Sequence, residues 1–365
     1  MQQFQSLSHR LVHGVAATIP PFSPATGAPE EPQRQAYGFL CSIARRIAED
    51  PALIGLPGKP DGAFGDWELF KQKPELIDEM RRQMRKLDDF YGMLFQLADS
   101  ATIEDGKLSI EKTAIKVSPK CLKALVAFGL ACENRKDRLL LWSTEHPQLA
   151  DGWKLLSAAA KASDNPGFLF SRAIFNPANA KAVEVFRALA VDRNAFALLE
   201  SYFNNNGYKL VELREGMSVD WVKTYGKKEE PLKAHWAEHV HGGLSIVYDY
   251  RRANPVVYGL RLPMFRELLG RFDEMEDEVK ALVVARTKKC DGCGYCTQTD
   301  KTGKRPRQIV TVQHRGQEYD LCTLFPGFSY IWTKVDEAEA KRMIGLLEFT
   351  DRVFAQKDEP TARKR

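Results

Sequence analysis

Cys290, Cys293 and Cys296 stand at three-residue intervals in Cys-Asp-Gly-Cys-Gly-Tyr-Cys, and Cys322 follows after 25 intervening residues. Thiols this close together are poor core material and too crowded for a disulfide framework. Their thiolates can instead converge on one cation, gaining strong bonds for the loss of their protons. The four are read as ligands of a single metal centre. The chain's positive charge collects in the same segment: eight Lys and Arg between Arg286 and Arg315 face only Asp291 and Asp300, a local +6 in a chain of net charge +5. Lys288, Lys289, Lys301, Lys304, Arg305, Arg307 and Arg315 are read as a basic rim. Such a rim offsets the charge of the thiolates and can grip an acidic protein or the phosphates of a nucleic acid.

The spacing leaves two metals open. Cys-Asp-Gly-Cys-Gly resembles the knuckles of rubredoxins and zinc ribbons, which implies a closed four-thiolate zinc shell. Cys-x2-Cys-Gly-x-Cys also resembles the first three ligands of bacterial ferredoxins, which implies a [4Fe-4S] cluster. Where ferredoxins carry their next Cys, this chain has Asp300; that Cys serves a second cluster, so the departure implies one centre and leaves iron open. Zinc sites pair two Cys-x2-Cys knuckles, and Cys322 has no such neighbour, which ranks the cluster ahead of zinc. The motif, with Leu-Cys-Thr-Leu-Phe-Pro-Gly-Phe around Cys322, further resembles uncharacterised bacterial proteins over the C-terminal part of the chain. That likeness implies no function.

The elements that must position these residues follow from periodicity. After Pro263, Phe265, Leu268, Phe272, Met275, Val279 and Leu282 step by three and four, predicting one helix that delivers the chain to Cys290. Residues 308–312 and 317–321 flank His314-Arg315-Gly316, predicting a hairpin that returns Cys322 to the neighbourhood of Cys296. Phe325, Phe328, Tyr330 and Trp332 offer an aromatic cover. Asp336 and Glu339 predict an acidic capping box opening a last helix to Gln356, with Met343, Ile344, Leu347 and Phe354 as its buried stripe.

Upstream, Pro, Gly and Ala over residues 17–34 predict a flexible arm, followed by a short helix from Tyr37 to Glu49 and a second irregular stretch to Asp66. From Pro74, Leu76, Ile77, Met80, Met84, Leu87, Tyr91, Leu94 and Phe95 recur at helical spacing. Two helix-then-hairpin segments form a candidate degenerate repeat, one running through Gly129 to Trp142 and the other through Gly207 to Trp221. Residues 244–250 and 256–262 predict a further hairpin around Asn254-Pro255. The expected fold class is α+β, with helix-plus-hairpin units and a small C-terminal four-cysteine module. The expected division is an arm over 1–66, an α+β body over 67–262 and the metal module over 263–365.

At 365 residues, 44% hydrophobic and 28% charged, the composition is that of a globular protein. No apolar run approaches the roughly eighteen residues of a membrane helix, and no secretory pattern opens the chain, so a cytoplasmic setting is expected. Seven cysteines fit it: Cys41, Cys121 and Cys132, scattered among apolar residues, are read as buried thiols. No dinucleotide fingerprint, Walker loop or Gly-x-Ser-x-Gly elbow is present. His235-Trp236-Ala237-Glu238-His239 matches the His-x-x-Glu-His of zinc peptidases, but downstream only His314 and Glu318 are placed to add a ligand, with His241 nearer. The stretch is read as polar surface before the Leu244 strand, and Trp67, Trp153, Trp221 and Trp236 as packing residues. The expected function is a metal-binding protein with a regulatory or partner-binding role through its basic rim. The alternatives are an iron-sulfur electron-transfer protein or enzyme subunit and, ranked last, a zinc peptidase.

Overall fold

The computed structural model describes residues 7–57, 74–163, 166–213, 217–225, 241–249, 252, 254–290, 308–324 and 330–355. Helix and antiparallel sheet are mixed along the chain, an α+β arrangement. The chain divides into two compact units. The first runs to Val185 and includes Glu215–Met217 and Tyr248–Pro255; the second holds Phe186–Arg214, Ser218–Val247 and Val256 onward.

The first unit comprises α1 (Leu7–Ala17), α2 (Glu30–Glu49), a 3₁₀ turn (Pro51–Ile54), α3 (Pro74–Ser100), β1 (Thr102–Glu104), β2 (Lys107–Glu111), α4 (Pro119–Ala127), β3 (Ala131–Asn134), β4 (Arg138–Trp142), α5 (Leu149–Lys161) and α6 (Pro166–Ser171). Its core forms where α2 lays Ala36, Phe39, Leu40 and Ile43 against Trp153 and Leu156 of α5. The helices meet closely because Gly152 presents no side chain: a Cβ there would strike the Pro32 carbonyl and the Ala36 methyl. Trp153 fills the centre, its ring 5.8 Å from Phe39 and 6.0 Å from Phe170. The strands form one sheet in the order β1-β2-β4-β3.

The N-terminal stretch departs from the expected arm. Leu7–Ala17 is helical, and α2 begins at Glu30, seven residues before the predicted start, with Glu30 and Glu31 in the first turn where the helix dipole favours anions. The coil between the helices is held by side chains. Tyr37 donates to the Pro20 carbonyl at 2.8 Å, the Gln33 amide oxygen accepts from the Ala25 amide at 2.8 Å, and the Gln33 amide nitrogen donates to the Pro29 carbonyl at 3.0 Å. Phe22 lies between Tyr37 and Phe175, with centroids at 5.3 and 6.1 Å. Prolines strip this segment of backbone donors, so its order comes from tertiary partners that composition does not encode.

The second unit contains the end of α7 (Ala182–Leu189), α8 (Arg193–Asn205), β5 (Lys209–Glu212), β6 (Ser218–Thr224), β7 (His241–Tyr248, its last residue grouped with the first unit), β8 (Val256–Arg261), α9 (Phe265–Gly270), α10 (Asp277–Arg286), β9 (Ile309–His314), β10 (Gln317–Cys322), β11 (Ile331–Trp332) and α11 (Glu337–Ala355). A five-stranded sheet runs β11-β8-β7-β6-β5, and β9 pairs with β10 in a sheet of two. Both helix-then-hairpin segments are present, as α4-β3-β4 in the first unit and α8-β5-β6 in the second.

The single helix expected from Phe265 to Leu282 is three pieces: α9, a 3₁₀ turn at Phe272–Glu274, and α10. Met275 and Glu276 are extended, with ψ of 151° and 152°, which breaks the helical path. All six seam residues are nonetheless buried, because the 3₁₀ turn absorbs the break while keeping their side chains inward. Among the described residues no helix is long and apolar enough to cross a membrane.

Candidate metal centre

The site is built on a tight hairpin. β9 and β10 pair from His314↔Gln317 to Ile309↔Cys322. The turn between them is Arg315-Gly316, with φ of +51° and +77°, the positive pair that a two-residue hairpin of matching twist requires. Alternation then sorts the side chains. Val312, His314 and Leu321 face inward and are buried, whereas Thr311, Gln313, Glu318 and Asp320 face outward. Cys322 belongs to the outward set by register, yet it is only 9% exposed.

The approach to Cys290 is fixed by α10 and its end. Arg286 donates to the Ile331 carbonyl at 3.1 Å, pairs with Glu339 at 3.2 Å and lies 4.8 Å over the Trp332 ring. Thr287 bonds the buried Tyr330 hydroxyl at 2.8 Å. The next three residues run beside β10 as a short third strand. Lys289 bridges Leu321, the Cys290 amide donates to the Asp320 carbonyl at 2.9 Å, and the Cys322 amide donates to the Lys288 carbonyl at 2.8 Å. With Lys289 opposite Leu321, Cys290 and Cys322 fall on the same face as diagonal neighbours, roughly 7–8 Å apart at Cα. Two thiols 32 positions apart in sequence are thus placed side by side.

Cys293 and Cys296 lie outside the described residues, as do Lys301, Lys304, Arg305, Arg307, Phe325 and Phe328. Among the described residues no cluster of three or more His, Cys, Asp or Glu could hold a metal ion. The residues brought together are therefore Cys290 and Cys322, with Lys288 on their face. Lys289 points to the other, its ammonium 5.0 Å from the Tyr319 ring.

Arg315 leaves the rim. It occupies the far end of the hairpin, about 20 Å from Cys322 at 3.4 Å per residue. There it pairs with Asp277 at 2.7 Å and holds that carboxyl below the usual carboxylate range. Arg286 is likewise committed to Glu339, so part of the counted +6 is neutralised within the fold.

No family model, curated protein or solved structure matches the chain. The site therefore stands on its own chemistry.

Other expectations fall out as follows. Asp336 caps α11, accepting from the Glu339 amide at 2.8 Å, but the Glu339 carboxylate turns to Trp332, Arg286 and Arg342. One half of the predicted capping box forms. Tyr330 and Trp332 are buried. Cys41, Cys121 and Cys132, expected in the core, are half-buried. His241 opens β7, and its Nδ1 lies 2.9 Å from the Thr224 hydroxyl; His235, Glu238 and His239 lie outside the described residues.

The sequence reading missed a polar hub on α11. The Asp351 carboxylate accepts from Tyr202 at 2.8 Å, Tyr225 at 2.7 Å and Lys223 at 2.8 Å, while the Tyr208 and Tyr225 hydroxyls meet at 2.7 Å. Burial pushes all three tyrosines above their ordinary range, so at neutral pH they act as hydrogen-bond donors and not as bases or nucleophiles. The hub ties α11 to α8 and β6. Its only sequence signal is a carboxylate beside the apolar stripe of a helix.

Proposed function

We propose that the segment from Cys290 to Cys322 is a four-thiolate metal module and that the protein works by metal-dependent binding or regulation. The observation that supports this reading is the pairing of Lys288–Cys290 with β10, which sets Cys290 beside Cys322 on one face. Apart from Ile309 opposite Cys322, that face of the hairpin carries Thr311, Gln313, Glu318 and Asp320, a polar setting in which packing alone gives little reason to gather two thiols. A shared cation does, and a cytoplasmic setting keeps the thiols reduced for it. Cys290, Cys293, Cys296 and Cys322 hold the centre, with [4Fe-4S] ranked ahead of zinc on the Cys-x2-Cys-Gly-x-Cys spacing.

The rim proposed to meet a nucleic acid or an acidic protein is Lys288, Lys301, Lys304, Arg305 and Arg307, with Lys289 directed to the opposite face of the strand. The Lys288 ammonium stem shares the cysteine face, so an anionic partner reaching it also approaches the metal. Anaerobically purified protein is expected to carry a brown charge-transfer spectrum with about four irons per chain. A colourless protein with one zinc keeps the module and replaces its metal; a protein with neither removes the reading.

A further inference from the structure

A second basic region lies in the first unit, away in sequence from the segment Cys290 to Cys322. From Lys112 to Cys132 the chain holds four lysines and no Asp or Glu. Lys112 turns to the carbonyls of Arg135 and Lys136 in the β3–β4 turn, whereas Lys116, Lys120 and Lys123 stay exposed. α4 starts cleanly, its Ser118 cap accepting from the Cys121 amide at 3.2 Å with Pro119 in the first turn. It buries Ala124 and Leu125 and ends on buried Phe128. Its outer face, at helical spacing, is Lys120, Lys123 and Val126.

Neighbouring elements add cations at both ends of α4. Lys86 of α3 donates to the Gly55 carbonyl at 3.3 Å, and the Lys120 ammonium lies against that same glycine. The Arg46 guanidinium sits 5.9 Å over the Phe128 ring. Two ammonium groups are thereby gathered at one glycine, and an anion lying across them would offset their mutual repulsion. Among the described residues, the carboxylates on the flanking stretches of α2 and α3 include Glu49, Asp50, Glu79 and Asp89. Asp50 is held by the Ala52 amide, Glu79 pairs with Arg82 while its field reaches Lys86, and Glu49 is exposed.

We propose that this face of the first unit, made of Arg46, Lys86, Lys116, Lys120 and Lys123, binds the phosphate backbone of a nucleic acid independently of the metal. A nine-residue helix is about 14 Å long, so cations along it span roughly four phosphates of one strand at 3.4 Å each. The apolar face of α4 is turned inward, leaving Val126 alone outside, which gives a lipid surface nothing to bury. Lysines that reach phosphates without base-reading partners bind without regard to sequence.

The test is fluorescence anisotropy of a labelled DNA duplex with the full-length, metal-loaded protein over a series of salt concentrations. Lys120→Gln with Lys123→Gln is expected to lower the log-log salt slope by about 1.8, near 0.9 for each lost phosphate contact, for any duplex sequence. The Lys120→Arg, Lys123→Arg protein is expected to keep the original slope, and thermal melting establishes that both variants fold. The same drop is expected when Lys301, Lys304, Arg305 and Arg307 have first been changed to Gln, which separates this face from the metal rim. An unchanged slope in the glutamine variant, or no duplex binding by the parent protein, overturns the proposal. So does tighter binding to phosphatidylserine vesicles or to polyglutamate that the same variant abolishes, which would assign the face to lipid or to an acidic protein.

Discussion

The two helix-hairpins of this chain start from the same local pattern and finish differently. In each, a helix ends beside a glycine in the left-handed region, Gly129 at φ +97° and Gly207 at +74°, and a hairpin follows whose first strand lies at a sheet edge. The tryptophan closing each pattern parts them. Trp142 pairs with Ala131, is half-buried, and lies 4.2 Å beneath the ammonium of cross-strand Lys107. Trp221 pairs with Leu210, is 1% exposed, and stacks on Phe203 at 5.5 Å and 19°. The second strand also finds different company: β4 pairs with β2, which precedes it, and β6 with β7, which follows. Local chemistry makes the helix and the turn; the surrounding chain decides which face becomes core.

Truncating the tryptophans gives the sharpest break. Trp221→Ala is expected to cost about 3–5 kcal/mol, the usual loss for an aromatic side chain deleted from a core. Trp142→Ala is expected to cost about 1 kcal/mol, since it loses a cation–π contact at a half-wet site. Equal losses in chemical denaturation would show that the two hairpins are packed alike.

The next contrast lies in how each hairpin is tethered. The second is anchored through Lys223, Tyr208 and the Asp351 hub. Asp351→Asn is expected to cost about 3 kcal/mol, because Lys223 loses its counter-charge and buried hydroxyls lose an acceptor. The first hairpin's ion pairs, Arg138 with Glu104 and Arg135 with Glu133, are solvent-exposed. Glu104→Gln should leave the melting midpoint unmoved.

Alkaline pH should separate the hairpins as well. Tyr202, Tyr208 and Tyr225 are raised in the folded state by burial first, with Asp351 adding to it in each; hydrogen bonds from Tyr225 and Tyr202 offset part of the rise at Tyr208. A raised tyrosine favours the neutral native form, so its contribution is complete below about pH 10, where an unfolded tyrosine ionises, and is lost above it. Tyrosinate absorbance is therefore expected to rise together with unfolding. Ionisation near pH 10 in a still-folded chain would contradict the hub. Between β3 and β4 no tyrosine occurs, so that hairpin has no such dependence of its own.

One effect should be common to both hairpins. Gly129→Ala and Gly207→Ala should each cost about 1–2 kcal/mol, because both positions need positive φ. A large difference between them would show that the common pattern is superficial.

What was legible in the sequence was local. The β9–β10 hairpin could be read from alternation around Arg315-Gly316, and Pro74–Ser100 from its long apolar stripe. The Asp336 cap was visible, but not that Glu339 would be drawn away by Arg286 and Trp332. The helix break at Met275 hid behind an unbroken apolar seam, since burial follows the seam whether the backbone is α or 3₁₀. The α1–α2 coil looked mobile because its partners, Phe175 and the Gln33 amide, are tertiary. For the cysteines, spacing marked the four expected ligands, and alternation around the turn foretold the hairpin that carries Cys322; Cys293 and Cys296 lie outside the described residues. The strand made by Lys288–Cys290, which sets the two thiols on one face, carries no periodicity in three residues. The acid-free lysine run from Lys112 was plain in the sequence and was masked by the larger excess near Cys290.

The central claim is that Cys290 and Cys322 serve one metal. Its most direct test is the iron and zinc content, per folded chain, of anaerobically purified Cys290→Ser, Cys322→Ser and, as a control, Cys132→Ser. The account predicts that either of the first two loses most of the metal while Cys132→Ser keeps it; full metal in Cys322→Ser, or none in the parent protein, would contradict it.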